Sequence, residues 1–115
     1  MTWLWLSAAF MATTALMHSL LGEKRLVQPL LTLDQGIMGV ELARKVFHFA
    51  WHAMSVLMLV SAALVVWPGT PRELILLTGC AWTGVGLFDA IYTRGRHIGW
   101  PALTASGVFA LLGAA

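Results

Sequence analysis

Charged residues are scarce in this sequence, and their scarcity excludes an ordinary soluble protein. They make up 10% of the 115 residues, whereas hydrophobic residues make up 59%. Soluble globular domains carry about 25% charged residues. Together with a mean hydropathy of +0.81, this composition indicates an integral membrane protein. We therefore expect a lipid bilayer as the main partner, and a bacterial inner membrane as the location.

Cysteine and the common catalytic motifs are also nearly absent. The single cysteine, Cys80, excludes an intrachain disulfide, and we interpret it as a small apolar helix residue. The sequence has no phosphate-binding loop, no Ser-His-Asp order, no Rossmann glycine pattern and no paired catalytic carboxylates. Its seven Lys and Arg residues are divided between loops rather than gathered in one basic patch. We therefore expect no nucleic-acid partner.

Long polar segments are missing too, and four apolar stretches are candidates for membrane spans. A hydrocarbon core of about 30 Å is crossed by about 20 helical residues. The candidates are residues 3–21, 46–67, 74–93 and 98–115, of which the last is marginal in length. No Lys or Arg precedes the first span, so we expect it to remain in the mature protein. The sequence predicts one all-α domain over residues 1–115, an integral membrane antiparallel four-helix bundle.

The basic residues are sorted by loop, and this sorting predicts the topology. Six of the seven flank the first and third loops, namely Lys24, Arg25, Arg44, Lys45, Arg94 and Arg96, and only Arg72 lies at the second. Cytoplasmic loops carry the excess of Lys and Arg. We therefore expect the first and third loops in the cytoplasm and both termini on the non-cytoplasmic side.

Glycine and other small residues predict where one helix ends and where another packs. Gly22 is a candidate end of the first helix. Residues 26–40 are predicted to form a short interfacial segment, with Asp34 a candidate N-cap for an early start of the second helix. The third helix carries small residues on one face, which lets another helix approach closely. These residues are Gly79, Thr83, Gly86 and Ala90.

A polar stripe on the second helix is the strongest functional signal. Glu41, Lys45, His48, His52 and Ser55 share one face of that helix. Such a stripe is costly in an apolar helix unless it meets polar partners. His48 and His52, spaced i, i+4, place two imidazoles on one face, as in HExxH zinc sites, but the glutamate of that motif is missing, which excludes its protease chemistry.

Other polar residues are predicted to lie at the same depth as this pair. His18 precedes the first loop by about one turn, and Asp89 precedes the third loop by about one turn. The predicted metal ligands are His18, His48, His52, Asp89 and Glu41. The predicted polar partners are Glu23, which is also a candidate fourth ligand, and Tyr92, Ser55 and Thr14. Imidazole with carboxylate suits Zn, Cu, Fe or Ni. Haem is an alternative, with His18 and either His48 or His52 as axial ligands.

The third loop is a second candidate site. Arg94, Arg96 and His97 offer cations and donors that suit a lipid phosphate or another anion. The competing interpretation is a basic loop that only sets the topology.

Several functions are compatible with the sequence. The leading hypothesis is a histidine and carboxylate cluster in the cytoplasmic leaflet that binds a transition metal or haem for redox chemistry or transport. One alternative is a non-catalytic accessory subunit of a larger membrane complex, in which the histidines only pack and form hydrogen bonds between helices. The others are a channel or transporter with a histidine-lined pathway, and a quinone or proton-transfer role. Because so small a bundle exposes much of its surface to lipid, we expect a homo-oligomer or a partner within a membrane complex.

Overall fold

The computed structural model describes residues 2–115, and these form a bundle of four helices. Helix α1 is Thr2–Leu31, α2 is Glu41–Val66, α3 is Arg72–Tyr92 and α4 is Trp100–Ala114. A short 3-10 helix, Gly36–Gly39, lies between α1 and α2. The all-helical prediction is confirmed.

Three of these helices are long and apolar enough to cross a membrane. They are α1, α2 and α3, whereas α4 is a shorter apolar helix of 15 residues. Large apolar side chains such as Phe49, Phe88 and Ile91 are exposed on the outer faces. An apolar surface of this extent is unfavourable in water and suits lipid. The structure therefore agrees with association with a membrane.

Helix α1 is longer than the sequence predicts, because Gly22 does not end it. Gly22 has helical dihedrals of −62° and −42°, and the helix continues through a π-helical segment, Glu23–Val27, to Leu31. The glycine instead allows close packing, since a Cβ at this position would lie 2.5 Å from the Trp51 ring. The interfacial segment predicted over residues 26–40 is thus partly helical.

The start of α2 also differs from the sequence prediction. It begins at Glu41, and its N-cap is Val40 in an extended conformation, with no side-chain hydrogen bond. Asp34 therefore does not cap it. The carboxylate of Asp34 faces the backbone of Gly39 instead, because a Cβ there would lie 3.3 Å from Asp34 Oδ1.

Helix α1 is central to the packing. It contacts α2 on one side and α4 on the other, and α4 in turn packs along α3, whereas α2 and α3 make few contacts. The buried core includes Met11, Val65 and Ala110. Within this core the Ser7 hydroxyl donates a hydrogen bond to the Ser106 carbonyl at 2.7 Å.

The α3–α4 interface is formed by small residues, as the sequence predicts. A Cβ at Gly86 would lie 2.3 Å from Thr104 Oγ1, and one at Gly107 would lie 2.3 Å from the backbone nitrogen of Thr83. A Cβ at Gly79 would also be within 3.1 Å of the Gly107 carbonyl. Only glycine allows the two backbones to approach this closely.

Candidate metal centre

Two helices bring Glu23, His48 and His52 together at one end of the bundle. The nitrogen His48 Nε2 lies 2.8 Å from Glu23 Oε1 and 3.0 Å from Glu23 Oε2. The nitrogen His52 Nε2 lies 2.7 Å from Glu23 Oε2. One ligand atom from each residue lies within 4.8 Å of the other two, which makes these residues a possible metal-binding group.

Local structure explains this convergence. The i, i+4 spacing holds the two imidazoles side by side on α2, with ring centroids 5.3 Å apart. The facing carboxylate is available because α1 continues past Gly22 into its π-helical segment, which begins at Glu23. Such π-helical turns are frequent at functional sites. Gln28, one turn further along α1, donates from its amide to Glu23 Oε1 at 2.7 Å and holds the carboxylate in place.

The cluster is accessible rather than sealed. The exposed fractions of the side chains are 40% for His48, 38% for His52 and 28% for Glu23. A shallow cleft of about 340 Å³, lined by Lys45, His48, Phe49 and His52, opens beside it. An ion or a small ligand therefore has a route to the imidazole nitrogens.

The three side chains need a small adjustment to hold an ion. Ligands that lie about 2.0–2.2 Å from a tetrahedral zinc are about 3.3–3.6 Å apart. The three ligand atoms lie within 4.8 Å of one another, and the hydrogen-bonded N···O pairs, at 2.7 and 2.8 Å, would have to open by about 0.5 Å or more to admit the ion.

His18 lies next to this cluster but makes different contacts. Its Nδ1 is 2.8 Å from the Ser55 hydroxyl, and its ring stacks on Trp51 with a centroid distance of 4.2 Å. The Trp51 indole also donates to the His18 carbonyl at 2.8 Å. His18 thus faces Ser55, the predicted polar partner, rather than Glu23.

The other predicted ligands lie elsewhere. Asp89 contacts His97 across the end of α3. Glu41 forms an ion pair with Lys45 at 2.7 Å, and both side chains are 72% exposed. The structure does not bring either carboxylate to His48 and His52.

The remaining predicted partners are also separate from the cluster. The Thr14 hydroxyl donates to the carbonyl of Phe10 in its own helix, and the exposed Tyr92 ring stacks on Phe88. In the third loop, Arg94 has a positive φ of 54°, and the backbone N–H of His97 donates to Thr93 Oγ1.

Two residues of the site are not predicted from the sequence. Gln28 bonds Glu23, and Ser19 lies between His52 Nδ1, at 2.9 Å, and the Ser55 hydroxyl, at 2.6 Å. Ser19 does carry a signal, because it lies one turn before Glu23 on the same helix. Gln28 depends on the π-helical segment, which has no clear sequence signal.

No protein-family model, curated protein or solved structure matches this chain.

Proposed function

We propose that this protein is a small integral membrane protein that binds a transition metal ion through Glu23, His48 and His52. One observation carries the proposal: three ligand atoms from two different helices lie within 4.8 Å of one another. His48 and His52 are the ligands that their spacing predicts. Glu23, predicted as a polar partner, supplies the carboxylate in place of Asp89 or Glu41.

The direction of the imidazoles supports a metal site over simple packing. Histidines that only satisfy their hydrogen bonds can do so with any nearby carbonyl or hydroxyl. Here Nε2 of both His48 and His52 points at the same carboxylate. The other nitrogen of His52 bonds the Ser19 hydroxyl, and metal-bound histidines commonly make such an outer hydrogen bond.

The donor set favours particular ions. Two imidazoles and one glutamate are the ligands of a class of catalytic zinc sites, in which a further position stays open. Two histidines and one carboxylate also hold iron(II) in many oxygenases. Copper and nickel accept the same donors. An ion is favoured over haem because His18, the second axial ligand that haem would need, bonds Ser55 and stacks on Trp51.

The proposal includes an antiparallel topology. Contacts between α1 and α2 pair Ser19 with Ser55 and Glu23 with His48, so the later residue of α1 meets the earlier residue of α2. With the basic first loop in the cytoplasm, the metal centre lies in the cytoplasmic leaflet. Metal transport and redox chemistry are both compatible with this position.

Metal analysis of the purified protein tests the proposal. After incubation with Zn²⁺ and removal of free ion, the wild type should retain one zinc per chain, whereas a His48→Ala, His52→Ala double variant should retain none. The control is His97→Ala, because His97 contacts Asp89 rather than this cluster. Equal zinc content in the wild type and the double variant would refute the site, and a Soret band would select haem instead. Absence of both metal and haem would favour the accessory-subunit alternative.

A further inference from the structure

A continuous chain of hydrogen bonds runs from the metal centre to His18. It starts at Glu23 Oε2, which lies 2.7 Å from His52 Nε2, and continues from His52 Nδ1 to Ser19 Oγ over 2.9 Å. The Ser19 and Ser55 hydroxyl oxygens are 2.6 Å apart, and Ser55 Oγ is 2.8 Å from His18 Nδ1. All four distances are typical of good hydrogen bonds.

The hydroxyls of Ser19 and Ser55 bond side chains, whereas several other hydroxyls of the bundle bond the backbone of their own helix. Thr14, Ser61 and Thr78 each donate to the carbonyl four residues earlier in their own helix. Ser19 and Ser55 instead bond each other across the α1–α2 interface, and each also bonds an imidazole. Ser55 is only 5% exposed. Their hydroxyls thus link two histidines rather than satisfying a local backbone group.

Such a chain has two possible directions. Each hydroxyl has one proton to donate, and a neutral imidazole donates from one nitrogen and accepts at the other. We call the direction outward when each donor points from His18 toward Glu23, and inward when each donor points from His52 toward His18. In the outward direction, His18 Nδ1 donates to Ser55, Ser55 to Ser19, Ser19 to His52 Nδ1, and His52 Nε2 to Glu23. In the inward direction, His52 Nδ1 donates to Ser19, Ser19 to Ser55, and Ser55 to His18 Nδ1.

We infer that Ser19, Ser55 and His18 form a proton relay whose direction is set by the group bound at His52 Nε2. This inference rests on the proposed metal site for one of its two states. The Glu23 carboxylate accepts a hydrogen bond from His52 Nε2–H, which leaves His52 Nδ1 as an acceptor and selects the outward direction. A metal at Nε2 requires the lone pair of that nitrogen, which leaves the imidazole proton on Nδ1 and selects the inward direction.

The change of direction conserves protons. His18 Nδ1 passes its proton to Ser55, Ser55 passes its own to Ser19, and Ser19 passes its own to His52 Nδ1. His52 Nε2 releases its proton to water as the metal takes the lone pair, and the partly exposed His18 takes one proton from water at Nε2. One proton leaves at the metal centre and one enters at His18, so metal binding at the cluster drives proton uptake at His18.

The first experiment needs no metal. Nitrogen-15 NMR of histidine-labelled protein in detergent, at about pH 8 and thus above the ordinary titration range of imidazole, should show the proton of His18 on Nδ1. Ser19→Ala removes a hydroxyl that bonds His52 and Ser55 but not the His18 ring, and it should shift His18 to a mixture of the two tautomers. Ser19→Thr, which keeps the hydroxyl, should restore the wild-type state. Ser61→Ala is the matched control, because the Ser61 hydroxyl bonds only Leu57 of its own helix.

The second experiment adds Zn²⁺. In the wild type, the His18 proton should move from Nδ1 to Nε2 as the cluster fills, and in Ser55→Ala it should not respond although zinc still binds. An unchanged His18 spectrum in Ser19→Ala, or an unaltered zinc response in Ser55→Ala, would overturn the relay. If zinc does not bind the wild type, the proposed metal site fails. The metal-free comparison of Ser19→Ala with the wild type then decides whether the hydrogen bonds from His52 to His18 act as one relay.

Discussion

At the scale of single residues, Glu23 is where the two helices of the site converge. Its carboxylate accepts hydrogen bonds from Gln28, His48 and His52. A carboxylate that bridges two imidazoles supplies the negative charge that a divalent ion needs. An amide of the same shape removes this charge and can accept at only one of the two positions, because its NH2 group donates.

We therefore predict that Glu23→Gln lowers zinc affinity without unfolding the protein. Loss of a partner that only orients a ligand costs about 10 to 100-fold in affinity, so loss of a direct ligand should cost at least about 10-fold. The matched control is Glu41→Gln on α2, whose carboxylate pairs with exposed Lys45 and should leave zinc affinity unchanged. Isothermal titration calorimetry measures both. Equal affinities of the two variants would show that Glu23 is not a ligand.

The residue scale also shows which parts of the site can be predicted from sequence. The placement of His48 beside His52 follows from helical periodicity alone, because a spacing of four residues is local. Depth within the membrane follows from distance to a charged loop. The lateral position of a residue in the bundle does not follow from the sequence, and Asp89 is the example. Its sequence position predicts a suitable depth, but it belongs to α3, which packs on α4 and makes few contacts with α2.

At the scale of elements, α1 is the hardest helix to predict. Glycine near the end of an apolar run is typical of a helix C-terminus, yet Gly22 lies within α1 and against Trp51. The contact that this glycine allows comes from another helix, so no local pattern contains it. The small-residue face of α3 is predictable because a stripe of glycine and threonine on a membrane helix is typical of a close helix contact.

We predict that Gly22→Ala separates α1 from α2 and weakens zinc binding at the proposed site. The added Cβ would lie 2.5 Å from the Trp51 ring, which would have to move, and Glu23 is the next residue. Gly84→Ala is the matched control, because a Cβ there meets nothing within 4 Å. Replacing a mid-helix glycine with alanine normally stabilises a helix by about 0.5–1 kcal/mol, so the control should be neutral or stabilising.

Thermal unfolding in detergent and zinc titration measure the effect of both glycine variants. Gly22→Ala should lower both the melting temperature and the zinc affinity. If Gly22→Ala behaves like Gly84→Ala in both measurements, the close α1–α2 contact does not hold the site together.

At the scale of the whole molecule, the order of helix contacts leaves a large apolar surface exposed. Helices α2 and α3 are joined by a short turn but make few contacts, and the molecule measures 50 × 30 × 20 Å. Exposed apolar residues such as Leu57 on α2 and Leu77 on α3 suit lipid or another protein chain. The expected oligomer or complex partner therefore has two outer faces available.

Helix α4 is short for a membrane span, and the number of spans in the chain depends on whether it crosses the bilayer. Its 15 residues span about 22 Å at 1.5 Å per residue, which is less than a hydrocarbon core of about 30 Å. However, the guanidinium Nε of Arg72, at the start of α3, donates to the Ala114 carbonyl at 2.7 Å. The end of α4 thus lies level with the second loop, as it must if α4 crosses the same thickness as α3.

We predict that cysteines at position 2 and position 115 react with a membrane-impermeant thiol reagent added to intact cells, whereas Leu33→Cys in the first loop reacts only after permeabilisation. The background is Cys80→Ala, since Cys80 is exposed on α3. The physical reason is the excess of Lys and Arg at the first and third loops, because loops that carry such an excess are the cytoplasmic ones in most membrane proteins. Labelling of position 33 from outside would move the metal centre to the outer leaflet, so metal would reach it from outside the cell. Labelling of position 2 without position 115 would mean that α4 does not cross the membrane and that the bundle has only three spans.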